Sequence, residues 1–341
     1  MNPHPGPLPE AGEGENPHPS PLPPAGEGVD SRTDRPNIFA GPYLDRRSHL
    51  REREDWLTQA IRDPNARFVP VWQARNLFTR GDSLGAALLA ADHVVVQSAR
   101  TENFTFLGVR HEQTYFMVEL EGDVPPEVDA AGEFKELRFL GAMLPAEEAG
   151  LLAYARALAL WRQRHRYCGV CGSPTQSSRA GHVLVCTNPG CHAEQFPRID
   201  PAIIVLVTDG PRALLGRQAS WPEGRYSTIA GFVEPGESLE DAVAREVHEE
   251  TGVSVHDIHY HSSQPWPFPS SIMLGFTAHA SSLAIARADQ ELEDVRWFTR
   301  DDIANGFPAM PSRQSISFRL IQDWYDSGAE RPLLETPGAR L

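Results

Sequence analysis

Hydrophobic residues recur at helical spacing in one stretch of the chain, between Ala146 and a basic run that ends at Arg166. Residues three or four positions apart share one face of a helix, so this stretch is predicted to be helical. We interpret it as a connecting helix over residues 146–166, because the segments on either side have different patterns. Its apolar positions are Leu151, Leu152, Tyr154, Leu158 and Trp161.

The segment before this helix, residues 36–145, has a mixed pattern. Two short runs, 104–109 and 114–120, have the length and composition of strands and stand among charged or Pro/Gly-rich breaks. We therefore expect a mixed N-terminal domain. No active-site motif can be recognised within it.

The chain begins with a near-exact repeat rather than a periodic apolar pattern. Residues 2–14 read NPHPGPLPEAGEG and residues 16–28 read NPHPSPLPPAGEG. Two copies are too few for a solenoid, and a segment rich in Pro, Gly, Glu and His buries too little apolar surface to offset its ordering entropy. We predict a disordered tail over residues 1–35, and a flexible C-terminus over residues 331–341.

Composition limits the classes of protein to consider. With 341 residues, 40% of them hydrophobic, the chain can form two or three domains. A net charge of −15 argues against sequence-independent nucleic-acid binding and leaves room only for a local site. The longest apolar runs, such as residues 202–207, are too short to span a bilayer, and the N-terminus does not resemble a secretory signal. We expect a cytoplasmic protein in a reducing compartment, with no membrane contact.

Four cysteines form two short pairs. Cys168 and Cys171 have the C-x2-C spacing, and Cys186 and Cys191 follow at C-x4-C spacing after a linker of strand length. Four thiolates in this arrangement suit one tetrahedral Zn²⁺, so we predict a zinc ribbon over residues 167–199 with one zinc per chain. A redox C-x-x-C would account for only one pair.

The predicted zinc site is closed, because protein ligands fill all four positions. Such a metal is structural rather than catalytic. Zinc ribbons can also bind nucleic acid, but residues 169–195 carry one arginine and no lysine. That role is therefore a minority interpretation.

A second helix is predicted from Leu239 to Thr251. Ser238 is a favourable N-cap, Asp241 supports the first turn, and Gly252 suits the end of the helix. On such a helix Glu246, Glu249 and Glu250 fall on one face, within an arc of about 100°.

Three carboxylates on one face repel one another unless cations neutralise them, and hard oxygen ligands suit Mg²⁺ or Mn²⁺. The alternative is a solvated acidic face in which Arg245 and Glu249 form an i,i+4 pair. For the glutamate cluster alone, that alternative stays open.

The wider context favours the metal site. Residues 231–253 read GFVEPGESLEDAVAREVHEETGV and match the Nudix box at every defined position, starting from Gly231. The resemblance to Nudix hydrolases implies an α+β fold, a Nudix α/β/α sandwich with a mixed sheet over residues 200–330, preceded by the zinc ribbon and the mixed N-terminal domain. It implies that Glu237 orients Arg245, and that up to three Mg²⁺ or Mn²⁺ ions per site bind the catalytic residues Glu246, Glu249 and Glu250.

Ten residues beyond the box, residues 263–271 read SQPWPFPSS. Alternating prolines stiffen this segment, which can present Trp266 and Phe268 as platforms for flat rings, while Gln264 and the serines supply hydrogen bonds. Taken alone, the segment is more typical of a Pro-rich turn whose aromatics are tucked into the core.

A zinc ribbon before a Nudix box, followed by SQPWPFP, resembles the NADH pyrophosphatase family of Nudix hydrolases from about Asn37 to Trp324. The resemblance implies two further metal ligands, the carboxylate of Glu291 and the backbone carbonyl of Ala230. An acidic substrate-contacting position of the family appears as Gly181, so that contact is in doubt. The substrate-binding positions that the resemblance implies are Arg138, Phe196, Phe232, Gln264, Pro265, Trp266, Pro267, Phe268, Pro269, Ser270, Ser271 and Ser317.

The resemblance implies hydrolysis of the NADH or NAD⁺ pyrophosphate to AMP and nicotinamide mononucleotide, removal of NAD caps from RNA 5′ ends, and a homodimer. No G-x-G-x-x-G stands between a predicted strand and helix, so the dinucleotide is expected to be consumed rather than held as a redox cofactor. A different class of function is a zinc-ribbon sensor whose Nudix domain binds nucleotides without turnover. Single-turnover hydrolysis with and without Mg²⁺ separates the two.

Overall fold

The structure, a computed structural model, describes residues 36–41, 44–81, 83–128, 132–286 and 291–339. The disordered tail predicted over residues 1–35 lies outside the described residues. The same holds for residues 340 and 341, the last two of the predicted flexible C-terminus.

Residues from the N-terminal domain form a six-stranded mixed sheet. Its strands are β1 (Arg67–Trp72), β2 (Arg75–Phe78), β3 (Leu89–Ala90), β4 (Phe104–Arg110), β5 (Gln113–Leu120) and β6 (Glu133–Lys135). The order is β4-β5-β1-β2-β6, with β3 also paired to β1, and β1 and β5 run parallel. Five of the six residues of β1 are buried, because a central strand in a covered sheet is shielded on both faces. Strands β4 and β5 coincide with the two predicted strand-like runs.

Four helices accompany this sheet: α1 (Glu54–Ala60), α2 (Val94–Ser98), α3 (Leu137–Leu140) and α4 (Ala146–Arg164). Helix α4 matches the predicted helix but is not a mere connection. Leu152, Leu158 and Trp161 lie in one hydrophobic cluster with Val69 of β1 and Met117 of β5. The helix therefore closes the core of the N-terminal domain, which corrects its interpretation as a connecting element.

The zinc ribbon is a three-stranded antiparallel sheet of β7 (Thr175–Ser178), β8 (Val183–Cys186) and β9 (Glu194–Gln195). It packs on the N-terminal domain at Gly181, which has a φ of 90°. A Cβ at Gly181 would lie 2.3 Å from Oγ1 of Thr105 in β4. The acidic substrate contact expected from the family at this position is thus replaced by close packing between two domains.

The C-terminal domain contains a second six-stranded mixed sheet. Its strands are β10 (Asp200–Asp209), β11 (Arg212–Arg217), β12 (Ile229–Phe232), β13 (Val255–Trp266), β14 (Ser271–Ala280) and β15 (Asp294–Thr299). The order is β13-β14-β10-β11-β15, with β12 paired to β10, and β10 and β14 run parallel. Its helices are α5 (Leu239–Thr251), α6 (Arg300–Ala304) and α7 (Ile316–Asp326).

Helices cover both faces of this sheet. Ile203 and Val205 of β10 belong to the cluster that contains Val243 of α5, whereas Ile204 belongs to the cluster that contains Leu320 of α7. Alternate residues of a strand point to opposite faces, so α5 and α7 lie on opposite sides of β10. This confirms the predicted α/β/α sandwich with a mixed sheet.

The two six-stranded sheets have the same topology. Strands β1 to β6 occupy, in chain order, the positions of β10 to β15, including the parallel central pair and the additional short strand. The five-residue helix α2 follows β3 as α5 follows β12. The N-terminal domain therefore repeats the topology of the C-terminal domain with a shorter helix at the position of α5. The sequence pattern does not reveal this repeat.

The end of the described chain is packed rather than free. Residues 333–335 and 337–339 form two 3-10 turns, and Leu333 and Ala339 are fully buried in the cluster that contains α7. The packing of residues 333–339 differs from the flexible C-terminus expected over residues 331–341. Within the described part of the chain, no helix is both long enough and apolar enough to cross a membrane.

Candidate functional site

Helix α5 has the limits that its capping residues predict. The backbone N–H of Asp241 donates to Oγ of Ser238 (3.1 Å), and the backbone N–H of Ser238 donates to Oδ2 of Asp241 (3.2 Å). This reciprocal capping box satisfies two otherwise unpaired donors at the helix start. At the other end Gly252 adopts a φ of 74°, the left-handed conformation that glycine tolerates best.

Arg245 is clamped by a carboxylate outside the helix. Its Nε donates to Oε1 of Glu237 (2.5 Å) and its Nη2 to Oε2 (3.0 Å), a bidentate pair. The hydrogen bonds from Arg245 lower the pKa of Glu237 to about 2. Nη2 also donates to the carbonyl of Phe232 in β12 (2.9 Å). The orienting role expected of Glu237 matches this geometry.

The clamp holds Glu246 in place. Nη1 of Arg245 lies 2.9 Å from Oε1 of Glu246, which is 9% exposed. A Cβ at Gly231 would lie 1.9 Å from Cδ of Glu246, so only glycine at the box start lets this carboxylate lie against β12. Burial raises the pKa of Glu246, because the charged form loses hydration.

The three box glutamates are not equivalent. Glu250 is 4% exposed, whereas the Glu249 side chain is half exposed and accepts from Nη1 of Arg245 (3.0 Å). Two buried carboxylates on one helix form a site that a divalent cation stabilises, since buried charges require pairing. Within the described segments, only the four cysteines bring three or more candidate ligand atoms within 4.8 Å of one another. A cation at the glutamates would therefore have to draw them closer together.

Two further predicted metal ligands flank this cluster. Ala230 pairs with Ile204 in the β12–β10 ladder, directly before Gly231. The charge of Glu291 contributes, after burial and together with Glu249, to the raised pKa of Glu246. Glu291 is therefore within electrostatic reach of the box, which is consistent with its predicted role.

The four cysteines form the predicted zinc site. The Sγ atoms of Cys168 and Cys191 are 3.9 Å apart, and those of Cys171 and Cys186 are 3.4 Å apart. A tetrahedron with Zn–S bonds of about 2.3 Å places its sulfur atoms about 3.8 Å apart, so the cysteines fit one zinc. Burial raises the pKa of Cys186 to about 12 in the absence of a metal, and binding of the cation would reverse that shift.

Backbone donors support the two cysteine pairs. The N–H of Val170 points to Sγ of Cys168 (3.4 Å), and the N–H of Asn188 points to Sγ of Cys186 (3.4 Å). Such bonds stabilise thiolates, and the cysteines form no disulfide.

The aromatics of the SQPWPFP segment pack between domains. Trp266 and Phe268 are both half-buried, with ring centroids 5.2 Å apart, and Phe39 contacts them at 6.2 Å and 5.5 Å. All three adjoin the core of the N-terminal domain. The observed environment thus favours the packing alternative while leaving part of each ring exposed.

Buried Arg156 from α4 holds the same segment. Its Nη1 donates to the carbonyl of Pro267, and its guanidinium carbon lies 4.7 Å from the ring centroid of Phe268. Exposed Arg138 lies over Trp266 at 5.9 Å. Sequence reasoning identified Arg138 but assigned no role to Arg156 or Phe39, because no local pattern indicates their contacts with this segment.

Gln264 and Ser317 serve the scaffold. Gln264 is 1% exposed, its amide donates to the carbonyls of Ile38 (3.2 Å) and Gln314 (2.7 Å), and it accepts from the N–H of Ile316 (2.8 Å). This differs from the expected donation to a ligand, because all its amide hydrogens are engaged.

Ser317 is 2% exposed and meets residues that precede β12. Its Oγ accepts from the backbone N–H of Thr228 (3.1 Å) and lies 2.8 Å from Oγ of Ser227. Its side chain therefore links α7 to the two residues before β12 and does not face solvent.

The remaining predicted substrate residues differ in accessibility. Phe196 and Phe232 expose 56% and 60% of their surface, so either ring can stack on a flat ligand. In the proline-rich segment, Pro265 and Ser271 are half-buried, Pro267 is buried and Pro269 is exposed. Half-buried Ser270 donates to Oδ2 of Asp200 (2.8 Å).

Three family descriptions match adjacent parts of the chain. The NUDIX domain matches residues 198–320, the NADH pyrophosphatase zinc ribbon domain matches residues 163–196, and the NADH pyrophosphatase-like rudimentary NUDIX domain matches residues 65–161. The last agrees with the repeated topology of the two sheets.

Curated relatives cover most of the same length. NAD-capped RNA hydrolase NUDT12 of Macaca fascicularis is 36% identical, over 84% of this chain and 73% of its own. NAD-capped RNA hydrolase NudC of Stutzerimonas stutzeri is 42% identical, over 68% of this chain and 81% of its own. Among solved structures, a NUDIX hydrolase from Nitrosomonas europaea is similar with a TM-score of 0.41 and 21% identity, over 48% of this chain and 92% of that one. The chain belongs to the NADH pyrophosphatase family of Nudix hydrolases.

Proposed function

We propose that this enzyme hydrolyses the pyrophosphate of NADH and NAD⁺ and removes NAD caps from RNA 5′ ends. One observation carries the assignment to catalysis: Arg245, held by Glu237, fixes a buried Glu246 against β12. A buried carboxylate cluster is costly to maintain, and a protein that only binds nucleotides has no need of it. The names of the relatives support the dinucleotide and the capped RNA as substrates.

The expected metal is Mg²⁺ or Mn²⁺, held by Glu246, Glu249 and Glu250 with support from Glu291 and the carbonyl of Ala230. When bound, such ions neutralise the diphosphate and lower the pKa of a water. The oxygen-only donor set fits these hard cations rather than zinc.

The protein residues orient the reaction. A water attacks one phosphorus in line, the P–O bond to the bridging oxygen breaks, and AMP and nicotinamide mononucleotide leave. Either Glu249 or Glu250 accepts the proton of that water; Glu249 is the more accessible of the two. Arg245 keeps the glutamate face in register with β12 through its bond to the carbonyl of Phe232.

The test is product analysis on NADH, NAD⁺, ADP-ribose, diadenosine phosphates and NAD-capped RNA, with and without Mg²⁺ or Mn²⁺. Glu250→Gln should lower turnover by several orders of magnitude with the fold intact. Glu240→Gln, at an exposed position of the same helix, is the matched control and should retain activity. Absence of turnover by the wild type in a single-turnover assay would instead favour a nucleotide sensor.

We infer that the enzyme is a homodimer that uses an apolar edge beside the box. Phe196, Ile199 and Phe232 are each more than half exposed. Phe232 pairs with Ala202, three residues after Ile199, and exposed apolar groups of this kind mark contact surfaces. Phe232→Glu should shift the mass measured by light scattering from dimer to monomer.

A further inference from the structure

A small cavity with both apolar and polar lining lies where α4 ends and β10 begins. Its volume is about 220 Å³; Leu160 and Trp161 line it together with Arg164, His165, Arg198, Asp200 and Ser270. It is separate from the box glutamates, and we name it the α4–β10 cleft.

Trp161, which lines the cleft, has a hydrogen-bond donor without an acceptor. Trp161 is 3% exposed, and its Nε1 has no hydrogen-bond partner among the described residues. Nearly all buried donors in folded proteins are paired, so a buried indole N–H at a cavity indicates an acceptor that the chain itself does not supply.

The charges of the cleft favour a singly charged anion. Asp200 accepts from Nε of Arg198 (2.8 Å) and from Oγ of Ser270 (2.8 Å), so its charge is already matched. Exposed Arg164 forms no ion pair with any described residue and is left to attract an anion. His165 binds the carbonyl of Trp161 through Nδ1 (2.7 Å). Arg164 and Arg198 together with Asp200 therefore contribute one net positive charge in a chain of net charge −15.

The cleft is close to the catalytic edge. Asp200 starts β10, and two residues later Ala202 pairs with Phe232, whose carbonyl is held by Arg245. A rise of about 3.3 Å per residue and a strand spacing of about 4.8 Å place the Cα atoms of Asp200 and Phe232 about 8 Å apart. Ser270 is the last residue but one of the predicted substrate segment, so the cleft borders that segment.

We propose that the α4–β10 cleft binds a backbone phosphodiester of the RNA that follows the NAD cap, through Trp161, Arg164 and Arg198. The proposal rests on the proposed function and extends it. A phosphodiester carries one negative charge, which matches the net charge of the cleft. A subsite for the RNA beyond the cap does not contact free NADH, so the cleft should act on capped RNA alone.

The test compares kcat/KM for a short NAD-capped RNA and for NADH. Arg164→Gln and Trp161→Phe should each lower kcat/KM for the capped RNA about tenfold and leave NADH unchanged. Arg164→Gln should also reduce the slope of log kcat/KM against log salt by about 0.7, the value for one phosphate of a single strand. Exposed Arg62→Gln is the matched control and should change neither substrate. Equal losses on both substrates, or none, would overturn the proposal.

A binding measurement separates this idea from the proposed function. In a Glu250→Gln background, anisotropy of a 3′-labelled capped RNA should show weaker binding with Arg164→Gln than without it. This comparison shows whether the cleft binds the RNA even if the wild type hydrolyses neither substrate. Such a lack of hydrolysis would contradict only the proposed function. Inorganic phosphate and a dinucleoside monophosphate are then compared as competitors of the RNA, with Arg164 present and with Arg164→Gln. If inorganic phosphate displaces the RNA as well as the dinucleoside monophosphate does, and only when Arg164 is present, the cleft is a free phosphate site and the proposal fails.

Discussion

Gly231→Ala tests the catalytic geometry with a single methyl group. The added Cβ would lie 1.9 Å from Cδ of Glu246, and ordinary contact begins at 3.4 Å, so the carboxylate must withdraw by about 1.5 Å. Gly231 has no positive φ, and alanine adds no backbone strain. Because a glutamate side chain can rotate, we expect the free energy of unfolding to fall by only about 1–3 kcal/mol.

The effect on catalysis should be far larger. Mg²⁺ requires oxygen ligands at about 2.0–2.1 Å, so a carboxylate displaced by this distance cannot remain a ligand without moving the ion. A misplacement of about 1 Å typically costs about 100-fold in rate, and we expect at least that loss in kcat for NADH. Initial rates across a Mg²⁺ titration, together with urea unfolding, measure both quantities.

Gly236→Ala is the control for stability alone. Gly236 has a φ of 96° and no atom within 4 Å of an added Cβ, so alanine there strains the backbone without touching Glu246. It should lose stability and keep its turnover. If Gly231→Ala retained more than about a tenth of wild-type kcat while remaining folded, Glu246 would not be a metal ligand in the position seen here.

Three further predictions concern the zinc, the aromatic segment and the acid stability. Cys171→Ser should release about one zinc per chain and lower the melting temperature; a folded wild type without zinc by metal analysis would refute the ribbon. Arg156→Met should cost about 1–3 kcal/mol of stability and lower kcat/KM for NADH, because the carbonyl of Pro267 loses its partner; unchanged kinetics would contradict this. Burial lowers the pKa of His182 from 6.5 to about 4. Between these two pH values the unfolded chain binds a proton that the folded chain does not, so the free energy of unfolding should fall by about 3 kcal/mol as the pH drops from about 6.5 to 4. His182→Gln, which keeps a donor for the carbonyl of Phe106, should flatten that slope in urea unfolding.

The elements that sequence predicted well are those specified by neighbouring residues. Helix α5 begins and ends where Ser238 and Gly252 place it, because capping is a local hydrogen-bonding problem. The zinc site followed from cysteine spacing, since four ligands close to one another in the chain leave few arrangements. In both cases the information lies within a few residues.

What sequence missed depends on contacts between distant segments. Arg156 and Phe39 meet the aromatic segment more than 100 residues away, and no periodicity records such a contact. The repeat of the sandwich in the N-terminal domain was invisible for a related reason. Topology is set by strand pairing, and helix α2, at the position of α5, has five residues and none of the box glutamates.

The buried amide of Gln264 has a consequence for how the protein can be divided. It joins Ile38, before the N-terminal sheet, to Gln314 and Ile316 at the start of α7. If residues 198–320 were produced alone as a minimal catalytic unit, Gln264 would lose its bond to the carbonyl of Ile38. Trp266 and Phe268 would lose their contacts with the ring of Phe39. The C-terminal half therefore depends on the segment around Ile38 for part of its own packing, and a shortened version of the hydrolase should keep that segment.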